Sequence, residues 1–119
     1  MNTRSYLTIG LLCLLTACAG STPRNNRLAP EQARRSSELQ VQMAQEYLKR
    51  GNLEIARDKL ARALELDPNS GQAHTVSGFL NETIRERGLA EFHYKRAVEL
   101  RPKDGDMSNN FASFLCRQG

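Results

Sequence analysis

The motif ALELDP at residues 63–68 returns as AVELRP at residues 97–102, so alanine, glutamate, leucine and proline recur with a period of 34 residues. Ala56 and Ala90 are related by the same period. A period of this length, with alanine and proline at fixed places in its second half, is typical of units built from two antiparallel helices. The sequence therefore predicts an all-α chain made of repeated helical hairpins.

Small residues mark the places where two helices come closest. Ala44, Ala56 and Ala63 are predicted at the contact between the helices of the first hairpin, with Leu60 filling the space beside them. Tyr94 stands at the place of Leu60 in the second hairpin. Pro68 and Pro102 follow the second helix of each hairpin and stop it, because the residue before a proline avoids helical geometry.

The turn inside the first hairpin is predicted at Gly51–Asn52. Glycine accepts a positive φ angle, and asparagine can cap the helix that follows. Arg85 stands at the place of Gly51 in the second hairpin, and the nearest glycine is Gly88. We therefore expect the second turn to shift to Gly88.

The period divides the chain after residue 36 into residues 37–70, residues 71–104 and a single helix at residues 105–119. This pattern resembles the tetratricopeptide repeat and implies a right-handed α-solenoid of about two and a half repeats. Phe114 on the fifth helix has no obvious cover, so we expect a C-terminally truncated form of a longer protein. The alternative is a terminal capping helix, which needs a polar outer face.

The N-terminus has the features of an export signal. Arg4 precedes an apolar run at residues 7–15, which is too short to span a bilayer and fits the apolar region of a signal peptide. The run ends in LTAC at residues 15–18, which resembles the bacterial lipobox. We predict a lipoprotein signal peptide at residues 1–17 and lipidation of Cys18. An ordinary signal peptide with a chance cysteine is the alternative.

Residues 18–36 are polar and contain two prolines, so they are predicted to form the lipidated cysteine and a flexible tether, with room for a first helical turn after Pro30. After removal of the signal and lipidation of Cys18, Cys116 is the remaining thiol. We expect it to be buried. Pairing with a cysteine of a partner is the alternative.

A lipobox, a polar tether and repeats of the form AxxYLxxGNLExAxxxLxxALELDPN together resemble the PilF/PilW family of type IV pilus biogenesis lipoproteins. The stretch NNFASFLCRQG at residues 109–119 is similar to that family's third-repeat motif. The family has about six repeats, and this chain departs from its consensus at Asn81 and Arg85. The resemblance implies a monomeric pilotin that binds secretin subunits or other pilus assembly components.

The resemblance also implies a location. Lipoproteins of this kind that carry aspartate after the lipidated cysteine typically stay in the inner membrane, and this chain has Ala19 there. We therefore expect a protein that is anchored to the outer membrane through Cys18 and faces the periplasm. The alternative function is an envelope-structural lipoprotein that scaffolds cell-wall or outer-membrane assembly proteins.

Repeat arrays of this type bind partners on the concave side, which the first helix of each hairpin lines. A mixed polar lining with a few apolar anchors suits an extended or helical peptide segment. Solvated helix faces with no partner are the alternative reading. The predicted groove residues are Val41, Gln45, Leu48, Lys49, Thr75, Phe79, Glu82, Asn109 and Ser113.

Signals for catalysis, metal binding and cofactors are missing from the sequence. His74 and His93 have no third ligand at a known spacing, and no glycine-rich phosphate loop or nucleophile elbow occurs. We expect His74 to pack inside a hairpin and His93 to be exposed. The formal charge is +4 with acids and bases interleaved, which argues against a nucleic-acid face. We predict a protein that is not an enzyme and needs no cofactor.

Overall fold

The computed structural model describes residues 28–119, which form five α-helices joined by short turns. Their bounds are Pro30–Lys49 for α1, Leu53–Leu66 for α2, Gly71–Thr83 for α3, Arg87–Leu100 for α4 and Gly105–Gln118 for α5. α1 packs on α2 and α3 on α4, while α5 lies against α4 and α3. The all-α repeat architecture is thus confirmed. The predicted signal peptide, Cys18 and most of the tether lie outside the described residues.

The first helix begins within the predicted tether, at the proline after which a helical turn was expected to be possible. α1 starts at Pro30, whereas the tether was expected to reach residue 36. Proline suits the first position of a helix, where its missing N–H costs nothing. The carboxamide of Gln32 accepts a hydrogen bond from the Ala29 backbone N–H at 3.3 Å. The fully buried Ser37 hydroxyl donates to the Ala63 carbonyl at 2.9 Å, so this end of α1 is held against α2.

The small residues lie where the 34-residue period places them. Ala44, Ala56, Ala63, Ala90 and Ala97 are each at most 1% exposed. Absence of a bulky side chain lets the helix backbones approach closely, which is the reason these positions are small. A first core joins α1, α2 and α3, and its buried members are Val41, Ala44, Leu60, Ala63, Ala73, Val76 and Leu80.

The second hairpin reaches the same packing with different volumes. Gly78 takes the place of Ala44, and the larger Tyr94 takes the place of Leu60. A Cβ atom on Gly78 would lie only 2.8 Å from Cδ1 of Tyr94. The missing methyl group therefore makes room for the aromatic ring, which is 3% exposed.

Both hairpin turns contain one residue in the left-handed region. Gly51 has φ of +76°, as predicted, although Asn52 makes no side-chain capping hydrogen bond. Arg85 has φ of +64° at the equivalent place, and Gly88 lies inside α4. The predicted shift of the second turn is therefore wrong. Packing of α3 on α4 sets the register, so the turn stays in place and an arginine adopts a conformation that favours glycine.

Two helix starts carry side-chain caps that the sequence reading did not include. Ser70 Oγ accepts from the backbone N–H of Ala73 at 3.2 Å at the start of α3. Asp104 Oδ1 accepts from the backbone N–H groups of Asp106 and Met107 at the start of α5. Serine and aspartate are favoured N-cap residues, and these two are separated by one repeat length. The caps were therefore readable from the sequence.

The fifth helix covers its phenylalanine. Phe114, expected to be uncovered, is 1% exposed and packs with Ala90 and Tyr94, with the Tyr94 and Phe114 ring centroids 5.3 Å apart. It occupies the place that Leu80 has one repeat earlier, where the side chain enters the contact between hairpins. Cys116 is exposed, so the expectation of a buried thiol is wrong.

None of the five helices combines the length and the apolar character that a membrane crossing requires.

Candidate partner-binding groove

A cavity of about 500 Å³ opens between the first helices of the repeats. α1 and α3 form its walls, α5 contributes at one end, and Tyr94 of α4 reaches it from below. The cavity has the size of a site for a few side chains of a peptide. Its lining consists of Gln45, Leu48, Lys49, Thr75, Val76, Phe79, Tyr94 and Asn110.

Five of the nine residues predicted from the repeat register line this cavity. Gln45, Leu48 and Lys49 come from α1, and Thr75 and Phe79 come from α3. Phe79 is 53% exposed, so much of its ring is free to contact a partner at this opening. Leu48 packs partly against the first core. The structure therefore brings two apolar side chains from neighbouring repeats to one opening.

Val41 does not belong to the groove surface. It is 1% exposed and lies in the first core, so its predicted role as an apolar anchor for a partner is wrong. The residue lies one turn of α1 before Gln45. At that level α1 is close to both α2 and α3, and the side chain is enclosed between the hairpins.

Glu82 is engaged inside the protein rather than free for a partner. Its Oε1 and Oε2 accept from Nε and Nη2 of Arg117 at 2.7 and 3.0 Å, and Oε2 also accepts from the Tyr94 hydroxyl at 3.1 Å. The hydrogen bonds from Arg117 lower the pKa of Glu82, and burial together with Glu82 raises the pKa of Tyr94. Glu82 thus links α3, α4 and α5 and positions the ring at the floor of the groove.

The two predicted α5 residues lie outside the cavity. Asn109 is exposed and Ser113 is half-buried, but the residue that reaches the lining is Asn110. Phe111 and Phe114 pack on the second core and so determine the rotation of α5 about its axis. Asn110 corresponds by one repeat length to Val76, which also lines the cavity and was missed. The groove positions that the 34-residue period assigns from α1 therefore do not identify the residue of α5 that lines the cavity.

The lining is close to electrically neutral. Lys49 forms an exposed ion pair with Glu46, with 2.7 Å between Nζ and Oε1. The Thr75 hydroxyl donates to the Gly71 carbonyl at 3.0 Å. The amides of Gln45 and Asn110 are the polar groups left for a ligand, beside the apolar surfaces of Leu48 and Phe79. Such a surface suits the side chains of a peptide better than a charged small molecule.

The described part of the chain holds no candidate metal-binding site. Residues 28–119 contain no group of three or more histidine, cysteine, aspartate or glutamate side chains that could hold an ion.

The prediction that His93 is exposed is wrong. His93 is half-buried and contacts His74.

Comparison with known proteins agrees with this architecture. The tetratricopeptide repeat family model matches residues 37–70, the range of the first repeat read from the sequence. The type IV pilus assembly protein PilF of Pseudomonas aeruginosa is 31% identical over 118 residues, which cover 99% of this chain and 47% of that protein. An uncharacterized protein of Haemophilus influenzae is 32% identical over 83 residues, which cover 70% of this chain and 46% of that protein.

A solved structure gives the same result in three dimensions. The structure, described as a functional characterization of Pseudomonas aeruginosa PilF, superposes with a TM-score of 0.68 at 32% identity and covers 75% of this chain and 39% of that chain. The present chain spans less than half the length of each of these proteins. The 34-residue period, the nested hairpins and these similarities together identify the chain as a PilF-like tetratricopeptide-repeat protein.

Proposed function

We propose that this protein acts in type IV pilus biogenesis as an outer-membrane lipoprotein that binds secretin subunits and supports their localisation and assembly. The groove between α1 and α3 is the proposed contact surface. The observation that carries the proposal is the exposed Phe79 beside Leu48 in a neutral cavity, on a chain similar to a pilus assembly protein. The protein works by capture and positioning, and it catalyses no reaction.

The groove favours a partner segment that presents apolar side chains. Phe79 and Leu48 belong to successive repeats, so a segment crossing both must place apolar groups at two points along its length. Amide groups at Gln45 and Asn110 can bond the backbone or polar side chains between those points. An amphipathic helix or an extended strand of a secretin subunit meets these requirements.

The groove is tested by comparing two exposed apolar side chains. Phe79 is 53% exposed in the groove, and Ile55 is 41% exposed on α2, outside the cavity. Phe79→Asp should reduce co-purification of the secretin subunit by at least about tenfold, since loss of a buried aromatic contact typically costs over ~1.4 kcal/mol. Ile55→Asp should leave co-purification unchanged.

Circular dichroism provides the folding control for both variants. Because both side chains are exposed, helicity should stay at the level of the unaltered protein. Equal loss of secretin binding in the Phe79 and Ile55 variants would refute the groove as the contact surface. Normal pili and secretin multimers in a deletion strain, together with an altered cell shape, would instead support an envelope-structural role.

The anchor is tested separately. Cys18→Ser removes the thiol that would carry the lipid, so the protein should move from the outer-membrane fraction to the soluble periplasmic fraction. The control is Cys116→Ser, which alters the exposed thiol on α5 and should leave the distribution unchanged. Persistence of the Cys18 variant in the outer-membrane fraction would contradict lipid anchoring at this residue.

A further inference from the structure

The two histidines of the chain lie together, away from the groove lining. Nδ1 of His74 on α3 is 3.0 Å from Nδ1 of His93 on α4, and the ring centroids are 5.2 Å apart. Nε2 of His74 is 3.1 Å from the carbonyl oxygen of Pro68 in the turn after α2. His74 is 7% exposed and His93 is half-buried, with Phe92 packed edge-on against both rings.

These distances determine where the protons are. A carbonyl oxygen only accepts, so Nε2 of His74 carries a hydrogen and donates to Pro68. When both rings are neutral, Nδ1 of His74 is therefore bare, and His93 must donate from Nδ1. A single proton lies between the two Nδ1 atoms and joins α4 to α3 and, through Pro68, to the first hairpin.

The histidine pair can take up one more proton and keep its hydrogen bond, but it cannot take up two. If His74 takes up a proton, its Nδ1–H can donate to His93, provided that His93 moves its own proton to Nε2. If both rings are charged, both Nδ1 atoms carry hydrogens that point at each other across 3.0 Å. The hydrogen bond is then lost, and two like charges face each other in a half-buried place.

We propose that His74 and His93 form a proton-operated latch, which holds α4 against α3 while at most one of the two imidazoles is protonated and opens when both are. His74 directly precedes Thr75, and His93 directly precedes Tyr94. Both of these neighbours line the groove. Opening of the latch therefore loosens one wall of the groove, at Thr75, and its floor, at Tyr94, whichever partner occupies it.

The surroundings of the pair oppose full protonation. Burial and, to a smaller extent, the nearby His74 together lower the pKa of His93 to about 4. Burial is also the main cause that lowers the pKa of His74. Arg96 on α4 acts in the same sense, whereas the Pro68 carbonyl and Asp67 at the end of α2 favour the charged ring. Among residues 28–119, no charged side chain of α1 or α5 acts on either ring.

The pH dependence follows from these lowered pKa values. In the unfolded chain both histidines take up protons as the pH falls through about 6.5. The folded protein resists the second proton until about pH 4. Since the unfolded state binds more protons in this interval, the stability that the neutral pair contributes is present above pH 6.5 and is lost as the pH falls toward 4.

The test measures unfolding in urea between pH 6.5 and 5 for the full-length chain and for His93→Gln. A glutamine amide can donate to the bare Nδ1 of His74 or accept from the protonated form, so it keeps the contact in both states. The unfolding equilibrium constant of the unaltered protein should rise about tenfold over this interval, and that of the variant by less than about threefold. Lys95→Gln, at an exposed position of α4, should behave like the unaltered protein.

A second readout follows the two imidazoles directly by NMR. The chain contains two histidines in all, so each ring signal is assigned by one substitution. One ring should titrate below its usual range and the other only at a markedly lower pH. An equal pH response of His93→Gln and the unaltered protein, or two independent titrations near pH 6.5, would overturn the latch.

Discussion

Gly78 is small where α3 packs on the large Tyr94 ring of α4. This close contact allows a quantitative prediction about stability. A methyl group on Gly78 would lie 2.8 to 2.9 Å from three ring carbons of Tyr94. Carbon atoms in favourable contact are about 3.5–4.0 Å apart. The ring cannot easily retreat, because Phe114 packs against it and its hydroxyl is bonded to Glu82. Gly78→Ala must therefore displace packed groups.

The expected loss in the free energy of unfolding is the difference between two opposing effects. Overpacking of a well-filled core costs about 1–3 kcal/mol. Replacing glycine by alanine inside a helix otherwise stabilises by about 1 kcal/mol. We therefore expect Gly78→Ala to lower the free energy of unfolding by about 1 kcal/mol. Gly88→Ala is the matched control: a Cβ there meets no atom within 4 Å, so the same change in α4 should be neutral or stabilising.

A second substitution, Tyr94→Leu, should remove the overpacking that Gly78→Ala causes. Tyr94→Leu alone should cost about 2–3 kcal/mol, through the space it leaves and the lost hydrogen bond to Glu82. Combined with Gly78→Ala, it recreates the pair Ala44 and Leu60 found in the first hairpin. The double variant should therefore be more stable than the sum of the single effects by about 1–2 kcal/mol.

The assay is urea unfolding followed by circular dichroism, with the free energy extrapolated linearly to water. The unaltered protein and its four variants should show the same dependence on urea concentration, so that a shift in the midpoint reports stability alone. If Gly78→Ala stabilises the protein as much as Gly88→Ala, or if the two changes are additive within about 0.5 kcal/mol, the close-contact explanation is wrong.

Further predictions concern the turns, the caps and the ion pair. Arg85→Gly should raise the free energy of unfolding by about 0.5–1 kcal/mol because it removes the strain of a left-handed arginine. Gly51→Ala at the equivalent turn should lower it by about 1 kcal/mol. The opposite order of stabilities in urea unfolding would contradict the turn geometry. Ser70→Ala should cost about 1 kcal/mol through loss of the cap of α3, measured as a lower thermal midpoint. Arg117→Met should increase hydrogen exchange in α5 while leaving α1 unchanged, and unaltered exchange in α5 would show that the contact with Glu82 does not hold that helix.

Much of the fold could be predicted because its signals are local and periodic. The period of 34 residues predicted two hairpins and the places where their helices meet, since alanine at Ala56, Ala63, Ala90 and Ala97 leaves few alternatives for how two helices pack. The register also placed Gln45, Leu48 and Phe79 among the residues that line the groove.

The wrong predictions share one cause: the 34-residue period treats equivalent positions of the repeats as if their surroundings were identical. Val41 lies on the predicted face but is enclosed by α2 and α3, so it is core. Asn110 replaces Asn109 in the cavity because aromatic packing determines how α5 is rotated. The turn at Arg85 kept its place because packing along two whole helices outweighs the preference of one residue for its backbone conformation.

The sequence by itself determined the helical repeats, their length and the positions of close helix contact, because these depend on residue size at regular spacing. Tertiary structure alone decided that Glu82 bonds Arg117, that His74 meets His93 and that Tyr94 forms the floor of the groove. Each of these contacts joins different helices at separations that no period of the sequence encodes. Their geometry depends on how the helices are rotated against one another, and that rotation results from the packing of all the side chains between them.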